Sequence, residues 1–182
     1  AQAVLPAPGG FSVLLAGSGL VEYSRLTPEV RDQLLEVIQT VTPRFDIVLL
    51  DTGAGISEVV LYTVSLADEV LIVVTPEPTS MTDAYATIKV LATQQSRREI
   101  RLVVNQVARG GDGRGVAAQL QQVVDRFVGP AVGGPVKLAL LGDVPTDASV
   151  RDAVKKRQLL VEALPGSPAA QAVAALAQRV SP

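Results

Sequence analysis

Short apolar runs alternate along the chain with segments of helical periodicity. The runs are rich in Val, Ile and Leu and predict five strands, at residues 11–16, 47–51, 69–75, 101–105 and 136–141. Between them, apolar residues recur every three or four positions and predict helices that begin near residues 27, 56, 79, 116, 149 and 168. Because strands and helices alternate, the pattern predicts one α/β domain over residues 1–182. Its sheet is mostly parallel, with helices on both faces.

Some segment ends carry their own signals. Thr27 is a capping hydroxyl, and Pro28 follows it at the first helical position. A turn is predicted at residues 16–19, and a glycine-rich, charged loop at residues 109–115. The last helix is alanine-rich and lacks the basic face of a membrane-surface helix, so we expect it to pack on the domain.

Candidate chemistry lies where the predicted strands end. Ligands of parallel sheets collect beyond the carboxyl ends of the strands. Asp51 ends one apolar run, and a turn containing Gly53 and Gly55 follows it. Such a carboxylate can hold the water shell of Mg²⁺, while the glycines let the backbone approach a γ-phosphate. The alternative is an acid that ends a strand before an ordinary glycine turn.

Two other strand ends suggest a base-binding site. The amide of Asn105 can recognise a purine, or it can form a turn after its strand. Val144 and Pro145 follow Asp143, and their backbone could close over a base, or they could be a turn only. Asp83 lies in the first turns of its helix, where it favours the helix N-terminus or contacts a dimer partner or another protein.

A protease interpretation also has to be weighed. Residues 49–54 read LLDTGA, like the signature of retroviral-type aspartic proteases, and residues 140–142 resemble the partner segment of that signature. Two such aspartates would have to come from two chains, since Asp-Thr-Gly occurs once. That protease fold is all-β, whereas helical patterns flank the motif here. The protease is therefore a remote alternative.

Composition narrows the chemistry further. The 182 residues are 48% hydrophobic, have a formal net charge of -2, and include no Cys and no His. Thiol catalysis, disulfides, zinc sites and His-based triads are therefore excluded, and a reducing cytoplasm is expected. The near-neutral charge argues against a general nucleic-acid binder. Two small basic clusters, at residues 97–101 and 151–157, could contact DNA or acidic lipid, but solvated surface charge is the favoured interpretation.

One expected motif is missing. A phosphate-binding loop needs glycines followed by Lys and then Ser or Thr, between a strand and a helix. The chain has four lysines, and none of them follows a glycine-rich turn: Lys89, Lys137, Lys155 and Lys156. The sequence therefore lacks the group that would neutralise the charge of the β- and γ-phosphates.

Five stretches in their order and spacing resemble the MinD/ParA superfamily of dimerising P-loop ATPases, and within it the FlhG/FleN flagellar-number regulators. The stretches are PGGFSVLLAGSG, FDIVLLDTGAGIS, ADEVLIVVTPEPTSMTDAYATIKVL, VVNQV and LGDVPTDASVRDAVKKRQ, followed by a final SPAA helix. The resemblance covers about residues 9–179. It implies a SIMIBI-type P-loop NTPase fold that is truncated at the N-terminus.

The resemblance also implies roles for particular residues. Asp51 would order Mg²⁺ through water, and Gly55 would lie in the switch turn that senses the γ-phosphate. Adenine would be contacted by Asn105, with Val144 and Pro145 closing the base pocket. The helix at residues 80–92 would carry a partner and dimer surface, which includes Met81, Asp83 and Tyr85.

The family implies ATP and Mg²⁺ as cofactors of the full-length protein. Its expected partners are a second copy in an ATP-dependent homodimer, an FlhF-like GTPase and flagellar switch proteins, with nucleic acid not expected. The expected location is cytoplasmic, with the inner membrane or cell pole as a peripheral site, although no membrane-targeting helix is seen. Alternatives are a positioning ATPase of cell division or DNA partition, or a nucleotide-free interaction module.

The sequence departs from the family because it starts after the Walker A loop with its two lysines. We therefore expect an ATPase only in a full-length form, and none in this chain alone. In the family, the strand before that loop lies in mid-sheet beside the strand that ends at Asp51. We predict that the resulting gap closes by direct strand pairing or is filled by another chain.

Overall fold

A computed structural model describes residues 4–15, 26–108 and 112–180. They fall into two compact units, Ala1–Leu49 and Leu50–Pro182. The predicted turn at residues 16–19 lies outside the described residues, as do residues 109–111 of the predicted loop. The remainder of that loop was predicted incorrectly, because a helix already begins at Gly113.

The first unit contains a hairpin and a helix. Strands β1 (Val4–Pro6) and β2 (Ser12–Leu14) pair antiparallel. The sequence did not predict β1, and β2 is shorter than the predicted strand. Helix α1 (Pro28–Val41) starts as predicted, since the Thr27 side chain accepts a hydrogen bond from the Val30 N–H. A 3₁₀ turn (Thr42–Arg44) follows it.

The second unit is built on a parallel three-stranded sheet in the order β3-β4-β5. Its strands are β3 (Leu71–Val74), β4 (Glu99–Val107) and β5 (Lys137–Pro145). Its helices are α2 (Glu58–Ser65), α3 (Pro78–Gln94), α4 (Gly113–Phe127), α5 (Ala148–Lys155), α6 (Leu160–Ala163) and α7 (Pro168–Val180). A second 3₁₀ turn (Pro130–Val132) follows α4. The predicted parallel α/β fold is confirmed.

The core lies between the sheet and helices α3 and α4. Every second residue of the central strand β4, from Ile100 to Val104, is completely or almost completely buried and faces this core. The helices contribute fully buried side chains: Ile88, Leu91, Leu120 and Val124. On the opposite face, α7 crosses β5 so closely that a Cβ added to Gly142 would lie 3.0 Å from Leu176 Cδ2. Helices therefore cover both faces, as predicted, and α7 packs on the domain.

The predicted strand at residues 47–51 is wrong, since none of these residues belongs to a strand. Leu49 is 79% exposed. Strand β3 pairs with β4 alone among the described residues, so the direct pairing that would close the gap is not formed. The β3 side chains that do not face the core are exposed to solvent as well, and Val73 is 58% exposed. An apolar run becomes a strand only when a neighbour binds its N–H and C=O groups, and none of the described strands pairs with residues 47–51.

The start of α3 also differs from the prediction. Residues 79 and 80 were expected to cap the helix, but Glu77 is the N-cap residue and Pro78 is the first helical residue. Ser80 instead accepts a hydrogen bond at Oγ from the Thr75 N–H, at 3.0 Å. Proline suits the first helical position because its missing N–H would be unpaired there in any case. In the described part of the chain, no helix has both the length and the apolar character needed to cross a bilayer.

The first basic cluster is used to hold the fold together. The Arg97 guanidinium donates to the carbonyls of Val64, Ala67 and Asp68, which closes the C-terminal end of α2. Arg98 donates to the Val132 carbonyl. Arg101 pairs with Glu69 at 2.6 Å. A guanidinium presents several donors in one plane, so each arginine can tie a strand start to a neighbouring loop.

Asp147 joins the N-termini of two helices. Its Oδ1 accepts from the Ser149 N–H at 2.8 Å in α5, and its Oδ2 accepts from the Ala169 N–H at 3.0 Å in α7. The bond from Ala169, followed by that from Ser149, lowers the pKa of the Asp147 carboxyl below its ordinary value. These bonds favour the charged form, so their contribution to stability is present above the ordinary pKa. It is lost as the pH falls through the lowered pKa of the folded state.

Replacing Asp147 therefore has a pH-dependent effect. We expect Asp147→Asn to lower the melting temperature at neutral pH, because a side-chain amide cannot accept both hydrogen bonds. The loss relative to wild type should shrink as the pH is lowered, which thermal melts from neutral to acidic pH will show. Asp152→Asn removes the same charge from an exposed position of α5 and is the matched control. An unchanged difference at all pH values would contradict the proposed linkage.

Candidate functional site

The carboxyl ends of β4 and β5 bring three predicted site residues together. The strands are paired at Val104 with Asp143, and again at Val107 with Pro145. Two residues of β4, Asn105 and Gln106, therefore lie opposite the single residue Val144 of β5, which is a β-bulge. Asn105, Val144 and Pro145 are all half-buried and share one edge of the sheet.

The bulge fixes the Asn105 side chain. Gln106 has a φ of 57°, which is in the left-handed region that non-glycine residues rarely adopt. Its N–H donates to Asn105 Oδ1 at 2.9 Å. One lone pair of the amide oxygen is thereby used, while the NH₂ group keeps its donors for a ligand. A strained backbone that holds a polar side chain at a strand end is typical of a functional site.

A second contact supports the same edge. The Asp143 Oδ2 accepts a hydrogen bond from the Gly113 N–H at 2.8 Å. The carboxylate thus binds the first residue of α4, and Gly113 approaches β5 so closely that a Cβ would lie 2.9 Å from Asp143 Cβ. Sequence reasoning placed Asp143 in a base-closing turn and missed this role. The two residues are 30 positions apart, and no local pattern connects them.

Asp51 and Gly55 lie in the segment before α2 and not on a paired strand. Gly55 has a φ of 98°, so its turn depends on glycine. Asp51 is exposed, and its carboxylate makes no hydrogen bond or ion pair with the described residues. The strand register does not link this segment to the β4–β5 edge.

The fit of Mg²⁺ can be tested on these residues. No group of three or more acids in the described ranges could hold a metal ion by itself. Mg²⁺ commonly keeps several waters and is bound by one or two carboxylates together with substrate phosphates. The single free carboxylate of Asp51 fits that water-mediated role and does not fit a dedicated protein cage.

The residues of the predicted partner surface on α3 differ in their exposure to solvent. Asp83 is exposed, while Met81 and Tyr85 are half-buried and pack against the core. A partner on this helix would therefore meet the carboxylate of Asp83 and only the outer parts of the two apolar side chains. The role of these residues as a partner surface stays a prediction.

The parallel sheet with helices on both faces gives the chain the fold of MinD- and ParA-type P-loop NTPases, as solved structures show. The solved MinC:MinD cell division complex of Aquifex aeolicus is similar, with a TM-score of 0.71 and 25% identity, covering 98% of this chain and 66% of that chain. The fold also rules out the all-β architecture of aspartic proteases. No protein-family model matches the chain.

Similar sequences carry the identification further. The antiactivator FleN of Pseudomonas aeruginosa is 38% identical over 177 residues, which are 97% of this chain and 61% of FleN. An uncharacterized ATP-binding protein of Methanocaldococcus jannaschii is 30% identical, over 98% of this chain and 61% of that protein. The flagellum site-determining protein YlxH of Helicobacter pylori is 29% identical, over 80% of this chain and 47% of YlxH.

The chain is similar in sequence and fold to ATP-binding proteins of the MinD/ParA superfamily. The predicted likeness to the FlhG/FleN branch is confirmed by the similarity to FleN and YlxH. The chain spans less than two thirds of the length of these relatives.

Proposed function

We propose that this chain is the larger part of a MinD-like ATPase that regulates the number or placement of flagella. The observation that carries the proposal is the β4–β5 edge, where the fixed amide of Asn105 lies beside Val144 and Pro145. This arrangement offers hydrogen-bond donors and apolar surface to a purine base. The flagellar role is supported by the similarity to FleN and to a flagellum site-determining protein.

In this proposal different residues contact the base, the metal and the phosphates. The NH₂ group of Asn105 donates to a ring nitrogen of adenine, and Val144 and Pro145 pack against the base. Asp51 accepts hydrogen bonds from the waters of Mg²⁺, and the turn at Gly55 lets the backbone approach the γ-phosphate. Mg²⁺ supplies the charge that neutralises the phosphate oxygens when it is bound. Neutralisation by lysine would have to come from a phosphate loop that this sequence does not contain.

The proposed protein works as a switch between a monomer and an ATP-dependent homodimer. An FlhF-like GTPase and flagellar switch proteins are its proposed partners, and its proposed location is the cytoplasm with peripheral attachment at the inner membrane or cell pole. The exposed carboxylate of Asp83 on α3 is the proposed contact for a second copy or a partner. The MinC:MinD complex supports protein partners in general.

The function can be tested in the organism that carries the gene. Replacing Asn105 with Ala or Asp51 with Ala should change the number or position of flagella per cell, as counted by electron microscopy, to the same extent as deletion of the gene. Lys137→Ala alters an exposed residue at the start of β5, the opposite end of the strand from the site, and should leave the count unchanged. Normal flagella after deletion would contradict the flagellar role.

A different result would favour the second candidate, a cell-division or DNA-partition ATPase of the same superfamily. Deletion would then leave the flagella normal and produce misplaced septa or cells without DNA. This candidate is supported by the presence of a MinD protein among the similar sequences.

A further inference from the structure

The second basic cluster differs from the first in having no internal role. Arg97, Arg98 and Arg101 are all bound to carbonyls or to a carboxylate within the fold. The other cluster comprises four of the chain's sixteen basic residues within seven positions: Arg151, Lys155, Lys156 and Arg157. All four are exposed, and none of them forms an ion pair or side-chain hydrogen bond with the residues that the structure describes.

Apolar side chains run beside these charges. Val150 and Val154 are four residues apart in α5, so they lie on one face, and Val154 is 71% exposed. Arg151 and Lys155 repeat the same spacing one position later and form a neighbouring stripe. The apolar surface continues past α5 through exposed side chains at Leu159, Val161 and Leu164. We call residues 150–164 the α5–α6 surface.

The α5 helix holds this surface firmly. Asp147 caps its N-terminus, and Ala153 is buried beneath it. Its C-terminus is closed by hydrogen bonds from the Arg157 N–H to the Val154 carbonyl and from the Gln158 N–H to the Ala153 carbonyl, each 3.0 Å long. The surface is therefore formed before any partner arrives.

The residue that closes the C-terminus of α5 is one of the four basic residues. Arg157 occupies its left-handed position with a φ of 54°. Glycine is the usual residue there, because a side chain is strained in this conformation. Arginine at such a position costs stability and makes no compensating bond within the described residues. Ser96 ends α3 in the same conformation, so what sets Arg157 apart is its exposed guanidinium beside the other three basic side chains.

We propose that the α5–α6 surface docks an acidic amphipathic helix of a partner protein. The partner helix would place apolar side chains on Val150 and Val154 and carboxylates opposite Arg151 and Lys155. Spacings of three and four residues match when two helices pack in this way. The interaction does not depend on nucleotide, so it stands or falls separately from the proposed function.

A protein partner fits the surface better than a lipid bilayer does. Helices that lie in a bilayer surface present bulky Trp, Phe or Leu side chains below a basic face. The α5 helix itself offers only valines, the exposed leucines of the α5–α6 surface lie beyond that helix, and the surface contains no aromatic residue. Asp152 and Glu162 lie among its charges, and both would repel lipid phosphates. The same acids can select a partner helix that also carries a matching basic residue.

A defined peptide tests the proposal. The probe is a fluorescent alanine-based helical peptide of about 16 residues, with leucines on one face and glutamates beside them. Its control has the same composition in scrambled order. Binding to the chain is measured by fluorescence anisotropy at low and high salt. We expect the patterned peptide to bind, the scrambled peptide to bind at least about tenfold more weakly, and added salt to weaken binding.

Substitutions on the α5–α6 surface show which residues contact the peptide. Val154→Asp and the pair Arg151→Glu with Lys155→Glu should each weaken binding about tenfold or more. Lys137→Gln removes an exposed lysine at the start of β5 and should leave peptide binding unchanged. Arg157→Gly should raise the melting temperature while weakening binding, which a merely structural role would not do. Melting curves check that the exposed substitutions leave the fold intact.

Three outcomes would overturn the proposal. The scrambled peptide could bind as tightly as the patterned one, or the α5 variants could bind like wild type. Alternatively, phosphatidylglycerol vesicles could bind the chain through these residues while the peptide does not, and the surface would then be a lipid-binding one.

Discussion

A longer form of the protein that carries a glycine–lysine phosphate loop upstream of Ala1 is expected to bind ATP–Mg²⁺ at least about a hundredfold more tightly than residues 1–182 alone. The reason is electrostatic. In the proposed site, Asp51 and a glycine turn face the metal side of a triphosphate, but no lysine of the sequence follows a glycine-rich turn. Backbone N–H groups and a lysine are what hold the β- and γ-phosphates in such sites. Isothermal titration calorimetry of both forms measures the difference.

Two variants of the longer form show whether the affinity has the proposed origin. Replacing the loop lysine with alanine should remove most of the gain. Asp51→Asn should weaken the dependence on Mg²⁺ more than it weakens binding of ATP without metal. If residues 1–182 bind ATP–Mg²⁺ as tightly as the longer form, the phosphates are held by groups that we have not assigned. If neither form binds, the nucleotide-free interaction module is the better description.

Local signals and strand pairing explain which parts of the fold could be predicted from the sequence. Helix α1 was placed correctly because its signals are local: Thr27 caps it and Pro28 starts it. Strands β3 and β4 form where they were predicted because they pair with each other. Residues 47–51 have the same β-branched, apolar composition and yet form no strand. Composition records the tendency of a segment, whereas a strand also requires a partner for its hydrogen bonds.

In the candidate site, too, local features could be predicted and contacts between distant residues could not. The residue types at the strand ends could be read directly, and the β4–β5 register brings Asn105, Val144 and Pro145 together as expected. The bulge could not be predicted, because glutamine is not a residue type that favours a positive φ, and yet Gln106 has a φ of 57°. Likewise, Arg97 and Arg101 resembled surface charge in the sequence, but their partners lie about 30 residues away. Contacts between distant segments leave no periodic signal.

Gly113→Ala is expected to lower the free energy of unfolding by about 1–3 kcal/mol, even though alanine is the better helix former. The added Cβ would lie 2.9 Å from Asp143 Cβ and 3.0 Å from Val104 Cβ, so the start of α4 would be pushed away from β4 and β5. Gly115→Ala, in the same helix, meets nothing within 4 Å and should instead raise stability by about 0.5–1 kcal/mol.

Urea unfolding of the two variants distinguishes these opposite effects, because a change in midpoint with an unchanged slope reports stability alone. In the longer form, Gly113→Ala should also weaken ATP binding, since the Asp143 carboxylate that accepts the hydrogen bond of the Gly113 N–H precedes Val144 and Pro145 at the proposed base-binding edge. Gly115→Ala should leave that affinity unchanged. If both substitutions stabilise the protein, α4 does not begin against β5, and the edge on which the proposed adenine site depends is not held by this contact.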